Sequence, residues 1–362
     1  MFEIKGKYTT AKFIVDDVEY ASIQQIQNLC NLDILENSRI RIMADVCPGI
    51  GTTIGSTFTY QDYVLPGLVS GDIGCGIVSV KLNIKRINNQ EVDKIIRENL
   101  NERKRIDSII DKHRNDVDLS SLYCKKYVNI ERCYSQLSQL GGGNHFLEFD
   151  KDSEGNIWLT VHSGSRLLGQ QIFDYYIEQG NQKHTRIFSY LTDDLAQAYI
   201  HDAIIAQKFA AANRYTIIDV LCKFLKAKVV DEYHSVHNYI DNKYCIIRKG
   251  AISAQKDERV VIPISASPIY GGVIIGKGLG NEEWNYSAPH GAGRICSRAE
   301  SKNLFTVLEF KKSMDGVYAN NINKEGLSEA PLVYKRREYI MESLKDLITI
   351  DDILIPIYNH KN

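Results

Sequence analysis

Residues 191–228 read LTDDLAQAYIHDAIIAQKFAAANRYTIIDVLCKFLKAK, the clearest periodic segment in the chain. Leu195, Ala198, Tyr199, Ala203, Ile204 and Phe209 recur at helical spacing, which predicts one long helix or two broken near Asn213. Outward from it the pattern changes. Downstream lie β-prone stretches at Tyr244–Arg248, Val260–Ile264 and Gly272–Ile275, then a glycine-rich stretch, Gly276–Gly280, that reads as a loop. Upstream, a helix is expected at Tyr20–Asn31, strands at Arg39–Met43 and Ile77–Leu82, and a charged helix from about Gln90 to Arg105. Helices and strands in this mixture, with many loops, predict an α+β fold. No repeat, low-complexity tract or Pro-rich linker marks a boundary, so a single unit over 1–362 is expected.

The 362 residues are 44% hydrophobic and 25% charged, ordinary globular proportions. Lys plus Arg number 44 against 45 Asp plus Glu, so the net charge cannot draw a nucleic acid to the surface and any such site must be a local patch. The runs Arg103-Lys104-Arg105 and Lys335-Arg336-Arg337 are candidates, though solvated charged faces are the commoner meaning of such runs. No apolar run approaches the roughly 20 residues that span a bilayer, and the start MFEIKGKYTTAKF lacks a signal-peptide core; a cytosolic location and no membrane partner are expected. The eight cysteines form no CxxC pair, so most are expected to be reduced and structural.

Chemistry-bearing residues collect beside glycines. In GDIGCGI, Asp72 and Cys75 offer a carboxylate and a thiolate three residues apart, a possible divalent-metal pair; the same spacing also suits a tight turn with an inert buried cysteine. His145 follows three glycines and Asn144 in GGGNHFLE, and His162 lies in VHSGSR with Arg166, a fixed cationic fork for an anion. His237 precedes Asn238 in HSVHNYI, expected just after the long helix, where His234 competes for any metal role and spacing does not separate the two. His290 lies in SAPHGAGRICSR, where Arg294 and Arg298 could offset the charge of a phosphoryl group that the histidine attacks or protonates. His113, His184, His201, His234 and His360 lack such settings and read as exposed or hydrogen-bonded. There is no GxxxxGK[ST] loop, GxSxG elbow, HExxH helix or Lys-x-Asp-Gly motif, so a bound nucleotide would need an unusual cradle and a histidine nucleophile.

Taken in order, GDIGCGI, QLGGGNHFLE, VHSGSR, HNY, RKGA, APHGAGRICSR and EAPLVYK resemble the signature set of the RtcB family of RNA ligases, and MADVCPGIGTTIG at 43–55 resembles that family's earlier Asp-containing segment. The resemblance implies one α+β domain whose mixed sheets surround a dimetal and nucleotide cleft. It implies joining of an RNA 3′-phosphate or 2′,3′-cyclic phosphate to a 5′-hydroxyl with GTP and two Mn²⁺, in tRNA splicing or RNA repair. Carried over residue by residue, it makes Asp72, Cys75, His145, His162 and His237 the manganese ligands, Cys75 bridging, and His290 the nucleophile that takes GMP. Asn144, His145, Phe146, Leu147, Glu148, His237, Asn238, Pro263, Ile264, Ser265, Ala266, His290, Gly291, Ala292, Gly293, Tyr334 and Lys361 would line the guanylate pocket. Arg166, Arg294 and Arg298 would hold RNA phosphate. The resemblance leaves open a monomer or a homodimer.

The chain departs from the family where Pro263-Ile264-Ser265-Ala266-Ser267 replaces Pro-Gly-Ser-Met-Gly, where Cys47 replaces a histidine, and where His360-Lys361-Asn362 replaces a terminal Lys-Gly. Two other readings stand beside the ligase. One is a dimetal phosphodiesterase that opens RNA cyclic phosphates without guanylylation; the other is a non-catalytic binder of RNA ends.

Overall fold

The computed structural model of the chain describes residues 1–361. The long periodic segment forms one unbroken helix, Asp193–Leu225, of 33 residues, about 50 Å at 1.5 Å per residue. Asp193 and Asp194 in its first turn suit the positive end of its dipole. Asn213 does not break it. The Asn213 amide donates to the Gln139 carbonyl and the Ser163 hydroxyl, both at 3.0 Å, and Arg214 Nη1 donates to the carbonyls of Gly74 (2.9 Å) and Ser163 (2.7 Å). Both residues are fully buried, so the helix interior is polar here because it clamps neighbouring loops.

The helix packs on one face of an eight-stranded sheet. Its main path runs Arg259–Ser265, Gly272–Gly278, Ile348–His360, Phe146–Lys151, Ile157–Ser163, Gly76–Leu82, Val229–Val236, with Tyr318–Ala319 beside Ile348–His360. Alternation along these strands sends Val78, Val80, Leu147, Phe149, Leu159 and Val161 into a core with Ile217, Ile218 and Leu221 of the helix. Each such side chain, once buried, contributes roughly 1.5–3 kcal/mol. The opposite face carries His162, Thr160, Ser79, Glu148 and Asp150, all buried as well, beside apolar Ile77 and Trp158, so the buried polar side chains of these strands gather on the face away from the helix.

A six-stranded sheet, in the order Phe2–Lys5, Thr10–Phe13, Ile40–Cys47, Ile54–Thr59, Ile246–Lys249, Asn238–Asp241, and a two-stranded ribbon, Ala251–Ser253 with Ser287–Pro289, complete the α+β architecture. The expected helix at Tyr20–Asn31 is present as Tyr20–Cys30, and the strand expected at Arg39–Met43 runs Ile40–Cys47.

Other expectations need correction. The charged helix is α-helical only over Asn89–Ile95, widens to a π-helix at Ile96–Asn101, and stops where Arg103 and Arg105 take φ of 56° and 60°. Gly276 and Gly278 belong to the strand Gly272–Gly278: a Cβ on Gly276 would stand 2.1 Å from the Thr349 carbonyl oxygen, so glycine permits close strand pairing here and does not mark a loop. His237 does not follow the long helix directly, because the strand Val229–Val236 intervenes. The strand expected from Tyr244 begins at Ile246. Lys335 is not a solvated charge; its ammonium donates to the carbonyls of Ala44 (2.8 Å) and Val46 (3.0 Å). Among the described residues no helix is long and apolar enough to cross a membrane.

Candidate active site

Strand register collects the candidate ligands at one end of the large sheet. Ile77 pairs with His162, His162 with Phe146, and Gly76 with Val236. Cys75 just before one strand, His145 just before another and His237 just after a third therefore lie beside His162. Asp72 joins them from the turn that closes with Cys75 N–H donating to the Asp72 carbonyl at 3.2 Å. Residue 164 must be glycine for this, since a Cβ there would stand 2.1 Å from Asp72 Oδ1.

The result is two overlapping donor sets, Cys75–His162–His237 and Asp72–Cys75–His145, each with its ligand atoms within 4.8 Å of one another. Cys75 Sγ is 3.2 Å from both His145 Nε2 and His162 Nε2, and the Nε2 atoms of His162 and His237 are 3.0 Å apart. His162 donates its Nδ1 proton to the Asn144 carbonyl at 3.2 Å, which turns the Nε2 lone pair inward. Burial pushes the proton affinity of His162 and His237 well down, so both are neutral donors. Burial and then Asp72 push the Cys75 thiol up; a bound cation reverses that effect. Against burial, the hydrogen bond from His145 holds the Asp72 carboxyl well below its usual range.

A cluster of sulfur and nitrogen lone pairs facing each other fits a divalent transition ion at Cys75–His162–His237 as it stands. The second set fits conditionally. Arg166 Nη1 lies 2.7 Å from His145 Nδ1, and a guanidinium can only donate, so His145 carries its proton on Nε2, toward Asp72 Oδ2 at 3.3 Å. Ligation through Nε2 requires Arg166 to release His145.

His290 follows the short strand Ser287–Pro289 and faces the cluster, its ring centroid 4.5 Å from that of His237. Asp45 fixes it. The fully buried Asp45 Oδ2 accepts from His290 Nδ1 (2.5 Å), His290 N–H (2.9 Å) and Gly291 N–H (3.3 Å). With Nδ1–H committed to a carboxylate, the ring is the tautomer with its Nε2 lone pair free to attack.

Beside His290 opens a cleft of about 530 Å³, within the range of small-molecule sites. Every residue expected to line a nucleotide pocket borders it except His145 and Leu147. Leu147 lies on the opposite face of its strand, in the apolar core, so its side chain is no part of the pocket. His145 faces a neighbouring hollow with Arg166. Arg294 and Arg298 line the main cleft, so the arginines expected to act together divide between two openings. Ile264 is buried in a core cluster, consistent with the loss of the glycine expected there.

The bland readings hold for several histidines: His113 pairs with Asp219 (2.9 Å), His184 with Asp33 (3.0 Å), His201 with Asp202 (3.0 Å), and His234 with Arg214 (3.1 Å), which separates His234 from His237. Sequence reasoning missed Asp45, Lys249 and Glu329. Lys249 borders the cleft, donates to the carbonyls of Ile50 and Gly67, and is pushed down by burial to about 8. Glu329 gathers Arg298 Nε (2.9 Å), Lys361 Nζ (3.3 Å), Arg294 Nη1 (3.5 Å) and the Tyr334 hydroxyl (2.5 Å). The buried Asp inside MADVC and the Glu opening EAPLVYK were the available signals.

The chain matches the family model described as tRNA-splicing ligase RtcB over residues 25–126 and 89–362. It is 27% identical to the RNA-splicing ligase RtcB of Escherichia coli over 388 residues, 92% of each chain. It is 23% identical to the tRNA-splicing ligase RtcB of Nanoarchaeum equitans over 441 residues, covering 94% of this chain and 91% of the relative. A further tRNA-splicing ligase RtcB, of Archaeoglobus fulgidus, is 25% identical over 437 residues, covering 94% and 90%.

Proposed function

Because the chain belongs to the RtcB family and is an RNA ligase enzyme, we propose that it seals RNA ends through a guanylate carried on His290, as a single ligase unit. The observation that supports this most is His290, held by Asp45 with Nε2 free, beside both the donor cluster and the cleft. The substrates are an RNA 3′-phosphate, or a 2′,3′-cyclic phosphate opened to it, and an RNA 5′-hydroxyl. The co-substrate is GTP, and the ions are two Mn²⁺ held by Cys75, His162 and His237 and by Asp72, Cys75 and His145.

Bound there, divalent cations would polarise the α-phosphate and offset charge on the leaving pyrophosphate. His290 Nε2 attacks the α-phosphorus of GTP, the bond to pyrophosphate breaks, and Asp45 offsets the positive charge that develops on the ring. An oxygen of the RNA 3′-phosphate then displaces His290 from the guanylate phosphorus, giving an RNA capped by GMP. The 5′-hydroxyl attacks the RNA phosphorus, its proton leaves, and GMP departs. Arg294 and Arg298 are the cations at the cleft that would hold the RNA phosphate, with Arg166 at the adjoining hollow.

The test is incubation with GTP labelled at the α-phosphate and Mn²⁺. Label should appear on wild-type protein and be absent from His290→Ala, with metal content and melting temperature unchanged. Adding RNA with a 3′-phosphate should move the label to RNA. Manganese-dependent opening of a cyclic phosphate with no protein label would favour the phosphodiesterase reading instead.

A further inference from the structure

Residues 121–129 read SLYCKKYVN, two tyrosines with two lysines between them, and the ligation steps leave this segment unused. Tyr123 and Tyr127 are 69% and 65% exposed, yet both rings are backed. The Tyr127 ring lies over that of Tyr175, centroids 4.5 Å apart at 32°, and Tyr123 meets the His201 ring edge-on at 4.9 Å. Beneath them the fully buried Asp202 carboxylate accepts from the Tyr123 N–H (2.9 Å), the Cys124 N–H (3.0 Å), the Tyr176 hydroxyl (2.8 Å) and His201 Nδ1 (3.0 Å). Burying an acid is costly unless donors surround it, as they do here, and the effect is to fix this surface turn. Lys125, Lys126 and Arg132 are exposed and form no ion pair among the described residues, whereas the neighbouring Glu131 is held by Arg114 at 2.9 Å.

The turn leads into the hollow that holds Arg166. The helix Leu167–Gln179 starts there, and residues 127–136 follow it. Tyr127 lies on Tyr175, the Asn129 N–H donates to Gln171 Oε1 (3.1 Å), and Gln136, which lines the hollow, accepts from the Leu167 N–H (2.8 Å). At 1.5 Å per residue, Tyr175 stands about 13 Å along the axis from Arg166. Stacked nucleotides rise about 3.4 Å each along one strand, so that span is about four nucleotides. Aromatic rings with an open face among free cations are the arrangement that takes unpaired bases and their phosphates. The unpaired cations and the continuity with Arg166 favour a polyanion over a protein as the occupant.

We propose that Tyr123 and Tyr127, with Lys125 and Lys126, form a second RNA site: a stacking platform for unpaired bases of the strand whose terminal phosphate Arg166 holds, about four nucleotides from that phosphate. The rings are set before RNA arrives, so stacking costs little side-chain ordering. The site is indifferent to sequence, since every base offers a face. It favours strands with an unpaired end over short or fully paired ones. The inference rests on the hollow being the place of the RNA phosphate, as proposed above.

The test is fluorescence anisotropy of a labelled single-stranded RNA of about twelve nucleotides with a 3′-phosphate, in Mn²⁺ and without GTP, and competition by a trinucleotide with the same end, too short to span about four nucleotides. Tyr127→Ala should weaken the long RNA by about 5- to 150-fold, the effect of losing one stacked base, and leave the trinucleotide and a fully paired duplex unchanged. Tyr127→Phe, which keeps the ring, should bind as wild type does. Lys125→Gln with Lys126→Gln should lower the slope of log affinity against log salt by about 1.4, the counterions of two phosphates. Long-RNA binding by Tyr127→Ala within twofold of wild type overturns the proposal, as does an equal loss for the trinucleotide or the duplex, or a loss in Tyr127→Phe as large as in alanine. Arg166→Ala judges the hollow separately and should weaken both RNAs. If it weakens neither while Tyr127→Ala still acts, the phosphate reading of the hollow falls, and the four-nucleotide spacing with it, while the platform stands.

Discussion

Replacing Asp45 by asparagine isolates one electrostatic term of the proposed guanylylation. The carboxylate oxygen that meets His290 Nδ1 also accepts from the backbone N–H groups of His290 and Gly291, at 2.9 and 3.3 Å. Those two donors hold an acceptor at that place, so the Asp45→Asn amide should seat its oxygen there and leave the imidazole in the attacking tautomer. What is lost is the charge. A hydrogen bond to a charged group contributes roughly 1.5–3 kcal/mol, which at about 1.36 kcal/mol per tenfold is a slowing of about 10- to 150-fold. That is far less than the loss of about 10⁴ expected when an asparagine turns the ring to the wrong tautomer. The assay is single-turnover labelling of the protein from α-labelled GTP, with manganese content and melting temperature as controls for the buried substitution. A rate within threefold of wild type refutes the role given to Asp45; a loss near 10⁴ refutes the claim that the backbone donors fix the amide.

Cys75 is common to both donor sets, so Cys75→Ala should abolish binding of both ions, whereas His145→Ala and His237→Ala should each remove one. Metal counts by plasma mass spectrometry check this, and equal losses in the three variants would contradict the bridge. Metal-free protein should also lose stability in mild acid. Burial lowers the proton affinity of His162, His237 and His234, the last to about 3. The unfolded chain therefore binds more protons below its ordinary histidine value, and the stability is complete above about pH 6.5 and declines as pH falls below it. With three histidines the slope approaches roughly 4 kcal/mol per pH unit. Urea midpoints that stay flat from pH 7 to 5 would show that these rings are not buried neutral.

Much of the donor set was readable because each member is a reactive side chain next to a glycine, an asparagine or a serine. On that ground they were candidates, with His234 still competing with His237; the resemblance to RtcB made Asp72, Cys75, His145, His162 and His237 the set, and the structure brings all five together. Their assembly was not readable, since it depends on pairings such as Gly76 with Val236 between residues far apart in sequence. The strand Val229–Val236 was itself missed: its burial pattern is exposed at Val229 and Val230 and buried at Tyr233 and Ser235, so its apolar residues do not mark the inner face. The role of Asp45 was hidden for a related reason. In MADVC it reads as one polar residue in an apolar strand, and its purpose appears only when His290 arrives 245 residues later. Leu147 went wrong by contiguity: a motif read as a block includes side chains from both faces of a strand, and only alternate ones can share a pocket.

That alternation also explains why donor cluster and cleft share a wall. His162, Thr160 and the partners opposite them, Phe146 and Glu148, stand on one face, while Leu159 and Val161 between them hold the apolar core against the long helix. A slip of one residue in the pairing of Ile157–Ser163 would bury His162 among aliphatic side chains and turn Val161 toward Cys75. The apolar residues of the same strands thus fix the register that aims the polar ones. Arg214, donating to the carbonyls of both Gly74 and Ser163, adds a direct tie between the two segments that carry Cys75 and His162. The long helix therefore does more than cover the sheet: its one buried guanidinium reinforces the spacing of Cys75 and His162 that the pairing of Gly76 with Ser163 sets.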